Sequence, residues 1–163
     1  MSAAANAGEQ RIWQLLADVP DPEIPVLSVV DLGIVRWVRA DEPQVTVGVA
    51  PTYTGCPATE VIAASIVAHL RQHGIEPQIE PVLSPPWTTD WISAAGREKL
   101  AQYGIAPPAG SSKAALTGED LAIACPRCES TTTSKVSEFG STPCKASYKC
   151  GDCLEPFEYF KCI

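Results

Sequence analysis

Apolar side chains recur at helical spacing over residues 9–19, where Ile12, Leu15, Leu16 and Val19 stand at i, i+3, i+4 and i+7, the stripe of an amphipathic helix. Pro20 ends it. The segment Asp21-Pro22-Glu23-Ile24-Pro25 follows, and its two prolines predict an extended turn that is neither helix nor mid-sheet. Residues 33–38 and 45–50 are β-rich runs joined by the polar stretch 39–44, which predicts an antiparallel pair. Residues 58–73, apolar at 62, 63, 66, 67 and 70, predict a second helix with Gly74 at its C-cap. A third strand is expected over 78–83, then the breaker-rich Ser84-Pro85-Pro86-Trp87, then a helix over 91–103. The order predicts an α+β fold, a small α/β sandwich with helices over a three-stranded mixed sheet.

From residue 104 to about 119 the chain turns to Pro, Gly, Ser and Ala with little to bury, the composition of a linker. The expected organisation is a domain over residues 9–105, a linker over 106–120 and a second unit over 121–163, with Ile105 docked on the first domain. Charge divides along the same line. The 163 residues hold 19 acidic and 12 basic side chains, net −7; residues 1–120 carry 14 and 7 of these, and residues 121–163 carry 5 and 5. An acidic chain is a poor match for nucleic acid, whose phosphates call for a basic surface. No apolar run approaches the ~18 residues of a membrane span, and residues 1–9 contain no basic residue. The expectation is a cytoplasmic protein with no membrane partner.

Six of the seven cysteines, at 125, 128, 144, 150, 153 and 162, crowd the last 39 residues. Where thiols stay reduced, such density points to metal ligands before disulfides. Cys125-Pro126-Arg127-Cys128 and Cys150-Gly151-Asp152-Cys153 are separated by 21 residues, two knuckles with the signature of a zinc ribbon, their gap one residue longer than the usual ~15–20. Each C-x-x-C turn aims two thiolates at one point, and two turns complete a tetrahedron around Zn2+. Phe139, Phe157, Tyr159 and Phe160 supply the main apolar weight there, too little for about 40 residues to fold without a metal. An iron–sulfur cluster on the same sulfurs stays open, as does Cys144 as an alternative ligand. Cys162 is expected to be a bystander.

Cys56 stands alone between Gly55 and Pro57, just before the second helix. Proline is favoured at the first helical position, which makes Cys56 the N-cap, where unpaired N–H groups favour the thiolate. A small buried cysteine in a tight turn is the plainer reading. His69 and His73 are more than ten residues away, beyond ~15 Å along a helix, which disfavours a Cys–His pair; both read as exposed helix residues, His73 near the C-terminal cap. Asp21 and Glu23 read as turn caps, while Asp31, among Val29, Val30 and Leu32, caps a turn with Gly33 or serves a metal beside Cys56. No Glu-x-x-His pair of a diiron bundle is present, since Ile66 and Leu70 precede the histidines by three. There is no G-x-G-x-x-G nucleotide fingerprint.

Asp21-Pro22-Glu23-Ile24-Pro25, then Ser28-Val29-Val30-Asp31-Leu32-Gly33-Ile34-Val35, then Thr54-Gly55-Cys56-Pro57 together resemble the iron–sulfur assembly domain shared by SufT and the cytosolic iron–sulfur targeting proteins. The resemblance covers residues 9–105. With Pro86-Trp87, Tyr103-Gly104-Ile105-Ala106-Pro107-Pro108, Phe139-Gly140-Ser141-Thr142, Cys144-Lys145 and Glu155-Pro156-Phe157, the chain is similar over nearly its whole length to the PaaD (PaaJ) branch, accessory proteins of phenylacetyl-CoA epoxidase in aerobic phenylacetate degradation. The resemblance implies a non-enzymatic role in inserting iron or an iron–sulfur cluster. It implies Cys56 as a labile metal or cluster ligand, with Asp31, Thr54 and Gly55 as neighbours, and structural zinc on Cys125, Cys128, Cys150 and Cys153. Implied partners are the epoxidase reductase or diiron oxygenase and iron–sulfur assembly proteins; a homodimer sharing a cluster and a stoichiometric structural role in the epoxidase complex stay open.

Overall fold

Helix α1 (Ala7–Leu16) starts two residues before the expected stripe because Asn6 caps it. The Asn6 side chain accepts from the Glu9 N–H at 2.8 Å and the Glu9 carboxylate accepts from the Asn6 N–H at 3.0 Å. This capping box satisfies two donors that a helix start otherwise leaves open. The computed structural model describes residues 6–52, 58–110 and 122–161. The chain divides into two compact units, Met1–Trp87 and Thr88–Ile163.

Between α1 and the first strand, the proline-bearing loop is itself core. Ile24, Leu27, Val29, Leu32 and Ile34 are all buried, so the loop packs its own side chains, as compact surface loops do. Its turns are held by short polar side chains. Asp21 accepts from the N–H groups of Glu23 and Ile24 at 2.9 and 2.8 Å. Ser28 and Asp31 cap each other: the Ser28 N–H donates to Asp31 Oδ2 and the Asp31 N–H to Ser28 Oγ, both at 3.0 Å. Gly33 then takes φ 70°, a left-handed turn that glycine enters at little cost. The Trp87 indole N–H donates to the Leu32 carbonyl at 2.8 Å, tying the end of the unit to this loop.

Strands β1 (Val35–Asp41) and β2 (Gln44–Val49) pair antiparallel, Asp41 opposite Gln44. The expected six-residue connector is therefore a two-residue turn, because Arg39 and Asp41 are exposed strand positions rather than loop. Strand β3 (Pro77–Pro81) pairs parallel with β2, giving the mixed sheet β1-β2-β3. Trp37 faces Gly48 across the sheet, and a Cβ at Gly48 would overlap the indole. The Arg39 guanidinium stacks on the same ring, 4.3 Å from its centre. Helix α2 (Ala58–Gln72) buries Ile62, Ile66 and Leu70, the expected 3.6-residue stripe. It closes on Gly74 at φ 77°, with the Ile75 N–H reaching Leu70 O at 3.0 Å, a Schellman-type end.

The second unit opens with a 3-10 turn over Thr89–Trp91 and helix α3 (Ala94–Tyr103), whose cap Ser93 accepts from the Gly96 N–H at 2.9 Å. That cap is why the helix begins three residues later than the apolar pattern suggests. Gly104 ends α3 at φ 93°. Strand β4 (Ile105–Ala106) then pairs parallel with β7 (Pro156–Phe160), and the four-stranded sheet runs β4-β7-β6-β5 with β5 (Thr133–Ser137) and β6 (Lys145–Cys150). Ile105, expected to dock on the first domain, is thus hydrogen-bonded into the ribbon's own sheet. Ala106, Ile123, Cys125, Cys150, Phe157 and Tyr159 form its core, with Tyr148 packed against them. Phe139 is 62% exposed and lies outside that core, under the Lys161 ammonium at 4.6 Å. Residues 111–120 of the expected linker lie outside the described residues. Among the described residues no helix is long and apolar enough to cross a membrane.

Candidate metal centre

Two turns of similar construction carry the clustered cysteines. In the first, the Cys125 N–H donates to Ser130 O at 2.8 Å; in the second, the Cys150 N–H donates to Glu155 O at 3.0 Å. The residue after each knuckle's second cysteine, Glu129 or Leu154, is left-handed at φ 62° and 64°. Such a reversal lets following N–H groups turn back toward sulfur. Both turns are pinned to the sheet. The Gly151 N–H donates to Thr132 O at 2.7 Å, and a Cβ at Gly151 would sit 3.0 Å from Thr132 Cγ2, so the approach demands a small residue. The Ser130 hydroxyl donates to Asp152, linking one turn to the other.

The four sulfurs of Cys125, Cys128, Cys150 and Cys153 lie within 4.8 Å of one another. Cys125 Sγ to Cys153 Sγ is 3.7 Å and Cys128 Sγ to Cys150 Sγ is 3.5 Å. Ligands at about 2.3 Å on a tetrahedral ion are about 3.8 Å apart, so the sulfurs already occupy the corners that a four-thiolate metal site needs. The contacts are much longer than a disulfide of about 2.05 Å, and the described cysteines are all free thiols. One member of each knuckle, Cys125 or Cys150, is buried in the core, while Cys128 and Cys153 face outward.

The thiols' acidities diverge as expected for crowded sulfurs. The Cys153 N–H, the largest influence on Cys150, acts with that of Asp152 to bring the Cys150 thiol down to about 7. For Cys153 the Glu155 N–H acts in the same direction, but local desolvation of its sulfur and the three neighbouring sulfurs outweigh it and push that thiol up to about 12. Once one thiolate forms, its neighbours serve it as donors and resist ionising themselves. A cation that takes the place of the protons removes the conflict.

Cys144 is not part of this group. It precedes Lys145 at the start of β6, whereas Cys150 ends the strand, and six residues of extended chain separate them by about 20 Å. Cys144 is buried, with Thr142 Oγ1 3.0 Å from its sulfur. The strand geometry therefore leaves the alternative ligand outside the cluster. Asp31 is buried and engaged with Ser28; the Ser-x-x-Asp spacing of that reciprocal cap is visible in the sequence. Thr54, Gly55, Cys56 and Cys162 lie outside the described residues. The turn-supporting roles of Thr132 and Gly151 had no motif to announce them, because their contact joins positions whose proximity follows from the β5–β6 pairing.

Comparisons with known proteins bear on both units. Residues 109–161 match the family described as the PaaD zinc beta ribbon domain, and residues 9–78 match the iron-sulfur cluster assembly protein family. Among solved structures, the crystal structure of a domain of unknown function, DUF59, from Bacillus anthracis aligns with TM-score 0.54 at 28% identity, covering 58% of this chain and 92% of that one. A conserved hypothetical protein from Thermotoga maritima aligns at TM-score 0.47 and 28% identity, covering 61% and 98%. A protein of Escherichia coli (strain K12), described as one of the subunits of a "Putative 1,2-phenylacetyl-CoA epoxidase", is 50% identical over 153 residues, 93% of this chain and 92% of that protein. With identity at that level along almost the whole of both chains, this chain belongs to the PaaD family of phenylacetyl-CoA epoxidase subunits, an iron–sulfur assembly domain followed by a zinc ribbon.

Proposed function

We propose that this protein is a cytoplasmic maturation factor that helps insert an iron–sulfur cluster or iron into the multicomponent phenylacetyl-CoA epoxidase, rather than an oxygenase in its own right. The observation that supports the reading is the joining, within a family of epoxidase subunits, of an iron–sulfur assembly domain to a preorganised four-cysteine cluster. In this reading Cys56 is the labile ligand or transfer thiol that receives the iron cargo and releases it. Asp31 holds the 28–33 turn through Ser28, and Thr54 and Gly55 precede Cys56 in the sequence. Client candidates are the epoxidase reductase and the diiron oxygenase, and the donors are iron–sulfur assembly proteins.

Cys125, Cys128, Cys150 and Cys153 would hold zinc as a closed four-thiolate cross-link, which offers no open position for substrate. The residues themselves act as a clamp: Cys125 and Cys150 anchor the site to the core, and the β5–β6 pair sets the distance between the knuckles. The resulting ribbon presents a docking element for a client.

Cys56→Ser in cells growing on phenylacetate tests the proposal. The reductase is expected to lose cluster or the oxygenase to lose iron; normal metal content in both defeats the reading. The description of the E. coli relative as one of the epoxidase subunits favours a second reading, a stoichiometric structural component of the complex. That reading predicts co-elution with the catalytic subunits at fixed ratio through size exclusion, whereas a maturation factor falls away.

A further inference from the structure

His69 lies in the last turn of α2 and His73 just beyond its end, four residues apart and so on one face. Their ring centres are 4.9 Å apart and the rings are tilted by 52°. The His73 Nδ1 is 3.0 Å from the His69 carbonyl oxygen; donating there fixes the tautomer and leaves the His73 Nε2 lone pair directed away from the helix backbone. That is the arrangement in which metal-ligating histidines are usually found, the second ring nitrogen held by a backbone carbonyl. The partner ring supplies the other half. His69 Nε2 is shielded from solvent and has no hydrogen-bond partner among the described residues, a state that buried polar atoms seldom occupy without a reason.

From these features we infer that His69 and His73 form a second metal site, separate from the four cysteines, taking one borderline divalent first-row ion of the Ni2+, Cu2+ or Zn2+ class. With metal–nitrogen bonds of about 2.0–2.1 Å, two imidazoles bound cis to one ion place their ring centres roughly 4.5–5.3 Å apart, and the observed 4.9 Å falls inside that range. Imidazole suits these ions better than it suits Mg2+ or Ca2+, which prefer oxygen. Among the described residues the one cluster of three or more His, Cys, Asp or Glu ligands is the cysteine group. The histidine site is accordingly a two-armed chelate, with fewer protein ligands than the cysteine centre and suited to reversible binding rather than permanent residence.

The test uses untagged full-length protein with the ribbon loaded with zinc, in a Cys56→Ser background so that this thiol makes no contribution. Ni2+ is titrated by calorimetry, and its paramagnetism locates it through broadening of backbone amide NMR signals. One Ni2+ per chain beyond the zinc is expected, with broadening centred on residues 66–74. His69→Ala and His73→Gln are each expected to weaken binding at least about tenfold, the loss of one arm of a chelate. His73→Gln is the safer variant for folding because His73 is exposed. Combining it with Arg71→His keeps two histidines but sets them two residues apart, on different faces, and is not expected to restore affinity. Absence of a saturable Ni2+ site, broadening centred elsewhere, or affinity unchanged in the His73 variant would overturn the assignment.

Discussion

Replacing the four clustered cysteines by serine, one at a time, separates the metal's contribution from the core's. A structural zinc site binds with an apparent free energy of about 10–16 kcal/mol; shared over four thiolates, each ligand carries roughly 10²–10³-fold in affinity. All four variants are therefore expected to lose zinc affinity by about that factor, measured by competition against a chromogenic chelator. At saturating zinc the four should part company. Cys128 and Cys153 face solvent, so serine there costs nothing further. Cys125, at 1% exposure beside Ile123 and Phe157, would instead place a hydroxyl in an apolar core at a cost of about 1–3 kcal/mol. For a unit of this size that lowers the unfolding midpoint by roughly 5–20 °C. Cys150 is equally enclosed and should rank with Cys125. Cys144→Ser, at the far end of β6, should leave zinc affinity unchanged. Equal midpoints for Cys125→Ser and Cys128→Ser at saturating zinc would refute the division into inner and outer ligands. A tenfold affinity loss in Cys144→Ser would refute the ligand set.

Three further outcomes follow from particular contacts. Gly48→Ala should displace Trp37 from the sheet and release its stacking on Arg39, lowering stability by about 1–3 kcal/mol, with a change in tryptophan fluorescence; unaltered fluorescence and denaturation midpoint would contradict the overlap. Leu154→Gly should raise the ribbon's stability by about 0.5–1 kcal/mol, since a left-handed non-glycine residue is strained by about 1–2 kcal/mol and glycine gives part of the relief back through its looser unfolded chain. Leu154→Ala keeps the strain, so equal thermal midpoints for the glycine and alanine variants would defeat this argument. Asp31→Ala should cost about 0.5–2 kcal/mol through the lost reciprocal cap with Ser28, read by denaturant unfolding; a midpoint identical to that of the parent would show that the turn is held by other contacts.

Much of the first unit was legible because its elements are local. The stripe at Ile62, Ile66 and Leu70 announces a helix with one buried face, and Gly74 its end. The β-rich runs announce strands, though Arg39 and Asp41 read as loop because exposed strand positions carry the same polar side chains as connectors. Helix starts were shifted where the signal was a cap rather than an apolar residue, at Asn6 and Ser93. The two C-x-x-C knuckles were legible for a chemical reason: four thiolates at that spacing have few other uses.

What the sequence determined by itself, then, was the set of elements with short-range signatures: periodic faces, turn residues and ligand pairs. Tertiary structure alone decided which distant pieces meet. Two residues, Ile105 and Ala106, join a strand some fifty positions later, and so short a strand has no period to read. The ends of β6 decided that Cys150 belongs to the cluster and Cys144 does not, since an extended strand holds its termini apart however alike the two thiols are. Proximity of this kind depends on long-range pairing, whose energy comes from the assembled sheet and core rather than from any segment on its own.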